Sequence, residues 1–266
     1  MVMRPVRAIA RSVMRGIVAC YPLILLAIAW EAVARLGYVR PVFLPPLSAV
    51  IERMIPLTLA GDLLQPLAVS LYRAAAGLAL AIVLGVAIGL LMARMRAVRW
   101  LIDPLIAFGF PSPKIAFLPI FILWFGIDHL TKIALVAFTC VFPVIVAAYA
   151  GATTVPTNQL WAARAMGTTS LALTWRVVLP ASLPSLMSGV RVGVPYALVT
   201  AFTAEMIAGG GGLGGEMVLA QRYFETPTVF AYLLVMLATG YLIDHGVLAL
   251  RRRVLRWHED AGARDL

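Results

Sequence analysis

The stretch LYRAAAGLALAIVLGVAIGLLMA, Leu71 to Ala93, constrains this chain more than any other. Crossing ~30 Å of hydrocarbon takes ~20 apolar residues in a helix. Lipid offers the backbone no hydrogen-bond partners, so a run of this kind spans as a helix whose peptide groups pair among themselves. Similar runs extend from about Gly16 to Ala34, Leu101 to Phe125, Lys132 to Ala150, Ser188 to Ala208 and Thr228 to Leu250. Composition agrees: 62% of the residues are hydrophobic, 13% are charged, and the mean hydropathy is +0.94. A soluble domain carries about 45–50% apolar and about 25% charged residues. The sequence therefore predicts an all-α membrane protein of six transmembrane helices, one membrane domain over 1–266.

The runs are not alike. The third is interrupted by Pro104, Pro111, Pro113 and Pro119. The first follows Arg4, Arg7, Arg11 and Arg15, as a signal peptide would, but it is longer than the ~7–15 residues of a signal core. A retained helix is expected there. In the second run, Gly77, Ala81, Gly85 and Gly89 recur every four residues. This puts small side chains on one face, where another backbone can approach closely. The connection from Gly37 to Pro66 is proline-rich without being polar, which suits short helices at the membrane surface. Cys20 and Cys140 lie inside apolar runs without partners at metal-ligand spacing and read as small hydrophobes.

The net charge of +10 gives a pI near 10.3. The arginines gather at the ends of apolar runs and form no stripe with aromatic residues, which points to a membrane surface and away from nucleic acid. With six crossings, one side holds the basic N-terminus 1–15, Arg94, Arg96, Arg99, Arg164, Arg176 and the tail 251–266 with Arg251, Arg252, Arg253 and Arg256. The other side holds a thinner scatter that includes Arg40, Arg53, Lys132 and Arg222. Positive charge is retained in the cytoplasm, so both termini are expected there.

One segment on that side departs from the pattern. Trp161 to Pro180, WAARAMGTTSLALTWRVVLP, is too polar to span. Thr157 or Asn158 can cap a short helix after Pro156. Gly167 can take the left-handed conformation that ends it. A second short run, LALTWRVV, is expected to stop at Leu179-Pro180, because proline cannot continue a helix. The bare reading is an amphipathic pair resting on lipid headgroups.

The same segment resembles the cytoplasmic motif of binding-protein-dependent ABC importer permeases. That motif is Glu-Ala-Ala, three residues, Gly, nine residues, an aliphatic residue, one more, then Leu-Pro. Here it reads Trp161-Ala162-Ala163, Gly167, Val177 and Leu179-Pro180, with Arg164 inside the first part. Other pieces, SLYRAAAGLALAIVLGVAIGLLMA, PSPKIAFLPIFILWFGI, RVVLPASLPSLMSGVRVG, AEMIAGGGGLG and LIDHGVLALRRRVLRW, are similar to the branch for sulfonates, taurine, nitrate and pyrimidine precursors. The resemblance implies a coupling helix between the fourth and fifth crossings that docks on an ATPase subunit. It implies two ATPase copies, a second permease subunit expected as a homodimeric pair, and a soluble binding protein. It also implies a bacterial inner (plasma) membrane and alternating access, with ATP used by the partner and no cofactor or metal held by this chain. Trp161 stands where the family usually has an acidic residue, so one charge is replaced by a large apolar surface.

Ionisable residues within a membrane are expensive and become functional candidates. Lys114, in PSPK of the broken third segment, either faces a water-filled cavity or binds backbone carbonyls. Glu205, near the outer end of the fifth helix, serves a gate, packing or the solute. Tyr196, Thr200 and Thr203 share a helix face, as a polar strip on a translocation path or as interhelical hydrogen bonds. Glu31, Asp103 and Asp244 read as interfacial anchors. GGGGLGG, Gly209 to Gly215, contains GxGxxG but follows no strand, so it reads as a flexible outer loop. GxxxxGK[ST] occurs nowhere in the sequence.

Two other classes compete with a permease subunit. A stand-alone secondary transporter or channel would usually show inverted repeats, and none is discernible. An intramembrane enzyme would need a nucleophile–base pair, but Ser112 and Lys114, two apart, do not face each other on a helix.

Overall fold

A computed structural model describes residues 21–255. The segment 1–15, the first residues of the first apolar run (16–20, with Cys20) and the tail beyond 255 lie outside the described residues.

The first helix, α1 (21–35), turns Leu23, Ile24, Leu25, Leu26 and Ile28 outward. Its end is tied to the next helix, α2 (Leu47–Ala60), by the Glu31 carboxylate, which accepts from Arg35 and from both the backbone N–H and hydroxyl of Ser48. The connection expected to carry short surface helices thus forms one helix of 14 residues.

Three long helices make the centre: α3 (Leu64–Arg94), α6 (His129–Thr153) and a helix continuous from Ser170 to Ala208, whose main part is α9 (Leu179–Ala208). The small-residue face of α3 is the buried one, with Gly77, Ala81, Gly85 and Gly89 all inside. A Cβ on Gly85 would lie 2.7 Å from Val144 Cγ1, and one on Gly89 would lie 2.5 Å from Ala148 Cβ. The helices therefore meet backbone to backbone. In lipid, where burying apolar surface drives no association between helices, close van der Waals packing of this kind holds them together.

The last long helix, α11 (Thr226–Val254), packs with α2 and a short helix, α10 (Leu213–Arg222). Val50, Leu57, Leu213, Ala220, Ala231 and Tyr232 form their shared core.

Two expectations are corrected. The third apolar run is not a straight crossing. It forms α4 (Arg96–Gly109), then a 3-10 turn (Lys114–Phe117) leading into α5 (Leu118–Phe125), and the two halves meet at 100°. Pro111 and Pro113 lack N–H groups and cannot extend the hydrogen-bond ladder past Phe110, so the helix breaks there. Among the described residues, four helices are long and apolar enough to cross a membrane, or five if the bent pair counts as one. The second correction concerns Leu179-Pro180. The chain does not stop there, because Thr174–Val178 form a π turn in which the Leu179 N–H donates to the Thr174 carbonyl. The wider turn makes room for the proline ring, and the helix runs on.

Candidate functional site

The sequence candidates fall at the two ends of the central bundle. At one end lies the exposed segment after α6. A short helix, α7 (Thr157–Ala165), begins directly after Pro156 with no side-chain cap. Asn158, expected as a cap, instead accepts from the neighbouring Gln159 N–H. Gly167 has φ +79°, and two bonds close the helix end: Gly167 N–H to Arg164 O at 2.9 Å and Thr168 N–H to Ala163 O at 3.1 Å. This pair is a Schellman end, which requires a left-handed residue at the position Gly167 holds. A one-turn helix, α8 (Ser170–Leu173), follows and is capped by the Thr169 hydroxyl.

Ala163, Leu173 and Thr174 face inward; Trp161 is 65% exposed, and Ala162, Arg164, Arg176 and Pro180 are exposed with it. Val177 and Leu179 are half-buried in the π turn and at the start of α9. Arg94, at the end of α3, donates to the Ser170 carbonyl at 2.7 Å and fastens the segment to the bundle.

At the opposite end is a group of buried charges. Arg73 is 2% exposed, and Glu205 and Lys132 are fully buried. Arg73 Nη1 meets Glu205 Oε1 at 2.7 Å. The other Glu205 oxygen accepts from the Ser70 hydroxyl at 2.7 Å and from the Gly214 N–H at 3.1 Å. Arg73 also donates to the carbonyls of Gly211, at 2.9 Å, and Gly210, at 2.7 Å, and through Nε to His129 Nδ1 at 3.3 Å. Lys132 donates to the Ile127 carbonyl. Buried charges persist when paired and hydrogen-bonded, and both conditions hold for Arg73 and Glu205.

The glycine run is part of this group, and the loop expected over Gly209 to Gly215 is shorter, since Leu213, Gly214 and Gly215 are already helical. Gly209, Gly210, Gly211 and Gly212 have φ values of +66°, +79°, +73° and +88°. A Cβ on Gly212 would sit 2.3 Å from the Glu205 carboxyl carbon, and one on Gly210 would sit 2.9 Å from Lys132 Nζ. Glycine is thus required twice, for conformation and for space. Beyond Gly212 the chain is helical, as α10. A cleft of about 460 Å³ opens beside it, lined by Arg53, Asp62, Gln65, Gly212, Glu216 and Tyr232 among others. A second cleft, of about 330 Å³, is lined by Glu205, the glycines, Leu219 and Arg222.

The remaining candidates are dispersed. Lys114 donates to the Phe110 carbonyl across the bend, and its Nζ lies 5.6 Å from the ring centres of Phe110 and Phe142. It lines neither cleft described above. On α9, Tyr196 is exposed, Thr203 half-buried and Thr200 buried, so the three do not form one open strip. Asp103 pairs with Arg99 at 3.1 Å, and Asp244 with Arg191 of α9 at 3.8 Å. Arg73 and Ser70 were missed in the sequence. Arg73 was the one charge within the Leu71–Ala93 run, and that was the available signal.

A bundle of helices long and apolar enough to cross a membrane fits an integral membrane protein. Residues 77–256 match the family of binding-protein-dependent transport system inner membrane components, and the chain belongs to that family. It is 35% identical over 89% of its length to the taurine transport system permease protein TauC of Escherichia coli, of which it covers 88%. It is 32% identical to the putative aliphatic sulfonates transport permease protein SsuC of Bacillus subtilis, covering 89% of this chain and 85% of that one. The formylaminopyrimidine transport permease protein ThiX of Halalkalibacterium halodurans is 31% identical over 89% of this chain and 94% of its own. The fold is also that of a chain in an inward-facing structure of the MetNI methionine ABC transporter, with TM-score 0.61, 19% identity, and coverage of 76% of this chain and 98% of that one.

Proposed function

We propose that this permease subunit imports a small anionic solute by alternating access. Sulfonates, taurine, nitrate and pyrimidine precursors are the solutes considered, and the names of the relatives favour the first two and the last. Two copies of this chain form the pathway, and two separate ATPase subunits drive it. A soluble binding protein delivers the solute at the end that carries the glycine loop. The exposed segment from Trp161 to Pro180 is the coupling element, with Trp161, Ala162, Arg164 and Gly167 facing the ATPase, Ala163 seating the helix on the bundle, and Val177, Leu179 and Pro180 carrying its motion into α9. Six crossings with both termini in the cytoplasm follow from the arginine distribution.

The observation that carries this reading is the position of the motif. Its small and large side chains stand exposed at the end of the bundle fastened by Arg94. On α9, Tyr196 and Thr203 lie on a face that the chain itself leaves partly open, and we assign that face to the path between the two copies. Lys114 is assigned to the path as a cation beside the bend, and Thr200 and Glu205 support it from within. ATP is the partner's cofactor; this chain binds none.

The test is reconstitution. The purified chain, its co-expressed ATPase and its binding protein are placed in proteoliposomes, and ATP-dependent uptake of labelled taurine and of an alkanesulfonate is measured. Uptake is expected only when all three components are present. Uptake by this chain alone, without ATP, would replace the proposal with a stand-alone secondary transporter or channel.

A further inference from the structure

The buried charges at the glycine-loop end share a direction. Ser70 and Arg73 on α3 and Glu205 on α9 send their bonds to one short segment of backbone. Arg73 donates to the carbonyls of Gly210 and Gly211. The Ser70 oxygen accepts from the Leu213 N–H at 2.9 Å, and Glu205 accepts from the Gly214 N–H at 3.1 Å. The core thus grips residues 210–214 by four backbone groups.

That segment and the helix after it are the shared wall of both clefts. Gly211, Glu216 and Leu219 line the cleft of about 460 Å³ and also the one of about 330 Å³. Its other attachments are of a different kind. Leu213 and Ala220 of α10 pack on apolar neighbours, contacts that lack direction, and Gly214 lies close against the Phe202 carbonyl of α9. The four left-handed glycines before α10 provide a backbone that reorients without side-chain obstruction at Gly209 and Gly211, where a Cβ would meet nothing within 4 Å. A tie meant only for stability would be served as well by apolar groups, since replacing a buried ion pair with packed hydrophobes is often neutral or stabilising. A directional tie that can part and re-form suits a moving wall.

The geometry points to Ser70, Arg73 and Glu205 as positioning residues of a gate whose moving wall is the glycine loop and α10. With the bonds made, the wall is held against α3 and α9; with them parted, α10 swings and both clefts change shape. Placement of this gate on the outer side, and its coupling to transport, rest on the permease function proposed above. The movement itself does not.

The experiment uses the assembled transporter in lipid nanodiscs, with spin labels on cysteines at Glu52 of α2 and Gln221 of α10, and with Cys20→Ala and Cys140→Ala. The unaltered cluster is expected to give one narrow distance across the cleft. Arg73→Lys keeps the charge but loses the fork that holds both carbonyls. Gly212→Ala leaves every polar group in place but sets a methyl group against the Glu205 carboxyl group. Each is expected to broaden and lengthen the distance and to lower taurine uptake at least tenfold. The pair Arg73→Met with Glu205→Leu guards against misfolding, since it removes both members of the ion pair together, and it is expected to show the same broad distance. If all variants that assemble keep the narrow distance, the cluster is a static staple and the gate is overturned. If the distances change while the unaltered complex imports no anion, the gate stands and the permease function is what fails.

Discussion

Arg73 makes four hydrogen bonds with a single guanidinium, and Glu205 accepts three. Arg73→Ala would leave the Glu205 carboxylate buried without a cation. Breaking a buried pair on one side typically costs about 3–5 kcal/mol. The denaturation midpoint of the variant in detergent should fall accordingly, well below that of Arg73→Met with Glu205→Leu. Gly167 poses the converse case, an exposed residue with no Cβ contact and a φ of +79°. Gly167→Val should strain the turn between α7 and α8 by about 1–2 kcal/mol while the bundle folds. Membrane insertion is expected to survive, and retention of the ATPase in a pull-down is expected to drop, with transport lost. Full retention and full uptake would make the segment a plain surface loop. Trp161→Glu should be tolerated in the same assay if the partner's groove is of the family's usual kind. The Gly167 turn was legible in the sequence, because helix, glycine and spacing lie within a few residues. The Arg73–Glu205 pair was not, because its members are 132 residues apart and only the folded bundle brings them together.

Among the helices, α3 and α6 show how far a repeat of small residues can be read. The spacing of Gly77, Ala81, Gly85 and Gly89 identified a close-packed face, and all four residues are buried. Gly89→Ala should be harmful, since its Cβ would meet the Ile145 carbonyl at 2.8 Å and the Tyr149 nitrogen at 2.9 Å. Backbone cannot step aside as a side chain does, and overpacking of this kind costs about 1–3 kcal/mol. Gly246→Ala on α11, where a Cβ meets nothing within 4 Å, is the control and should leave the subunit's thermal stability in detergent unchanged. Other element-level features escaped sequence reading for physical reasons. Proline at position 180 signals a stop, but a π turn absorbed it. The prolines near position 111 signalled a break, but its angle of 100° is set by packing between distant segments, which local sequence does not encode. The glycines hid α10, since Gly214 and Gly215 are poor helix formers held in place by Glu205 and the core.

At the scale of the whole molecule, the arginine-rich segments predict which face is cytoplasmic. Single cysteines at positions 94, 164 and 215 test this: the first two should react with a membrane-impermeant thiol reagent only from inside, and the third only from outside. Labelling of position 164 from outside would reverse the orientation. The continuous helix from Ser170 to Ala208 has a mechanical consequence. Its 39 residues extend over about 58 Å. Its midpoint is Gly189, where a Cβ would lie 2.4 Å from Ala147 of α6, so the helix rests on a fulcrum. A tilt of about 5° around that point displaces either end by about 2.5 Å, from the ~1.5 Å rise per residue. That is close to the 2.7 Å separating Glu205 from Arg73. If the proposed coupling holds, a push on the Ser170 end is expected to reach Glu205 as a displacement of about 2 Å, enough to loosen an ion pair.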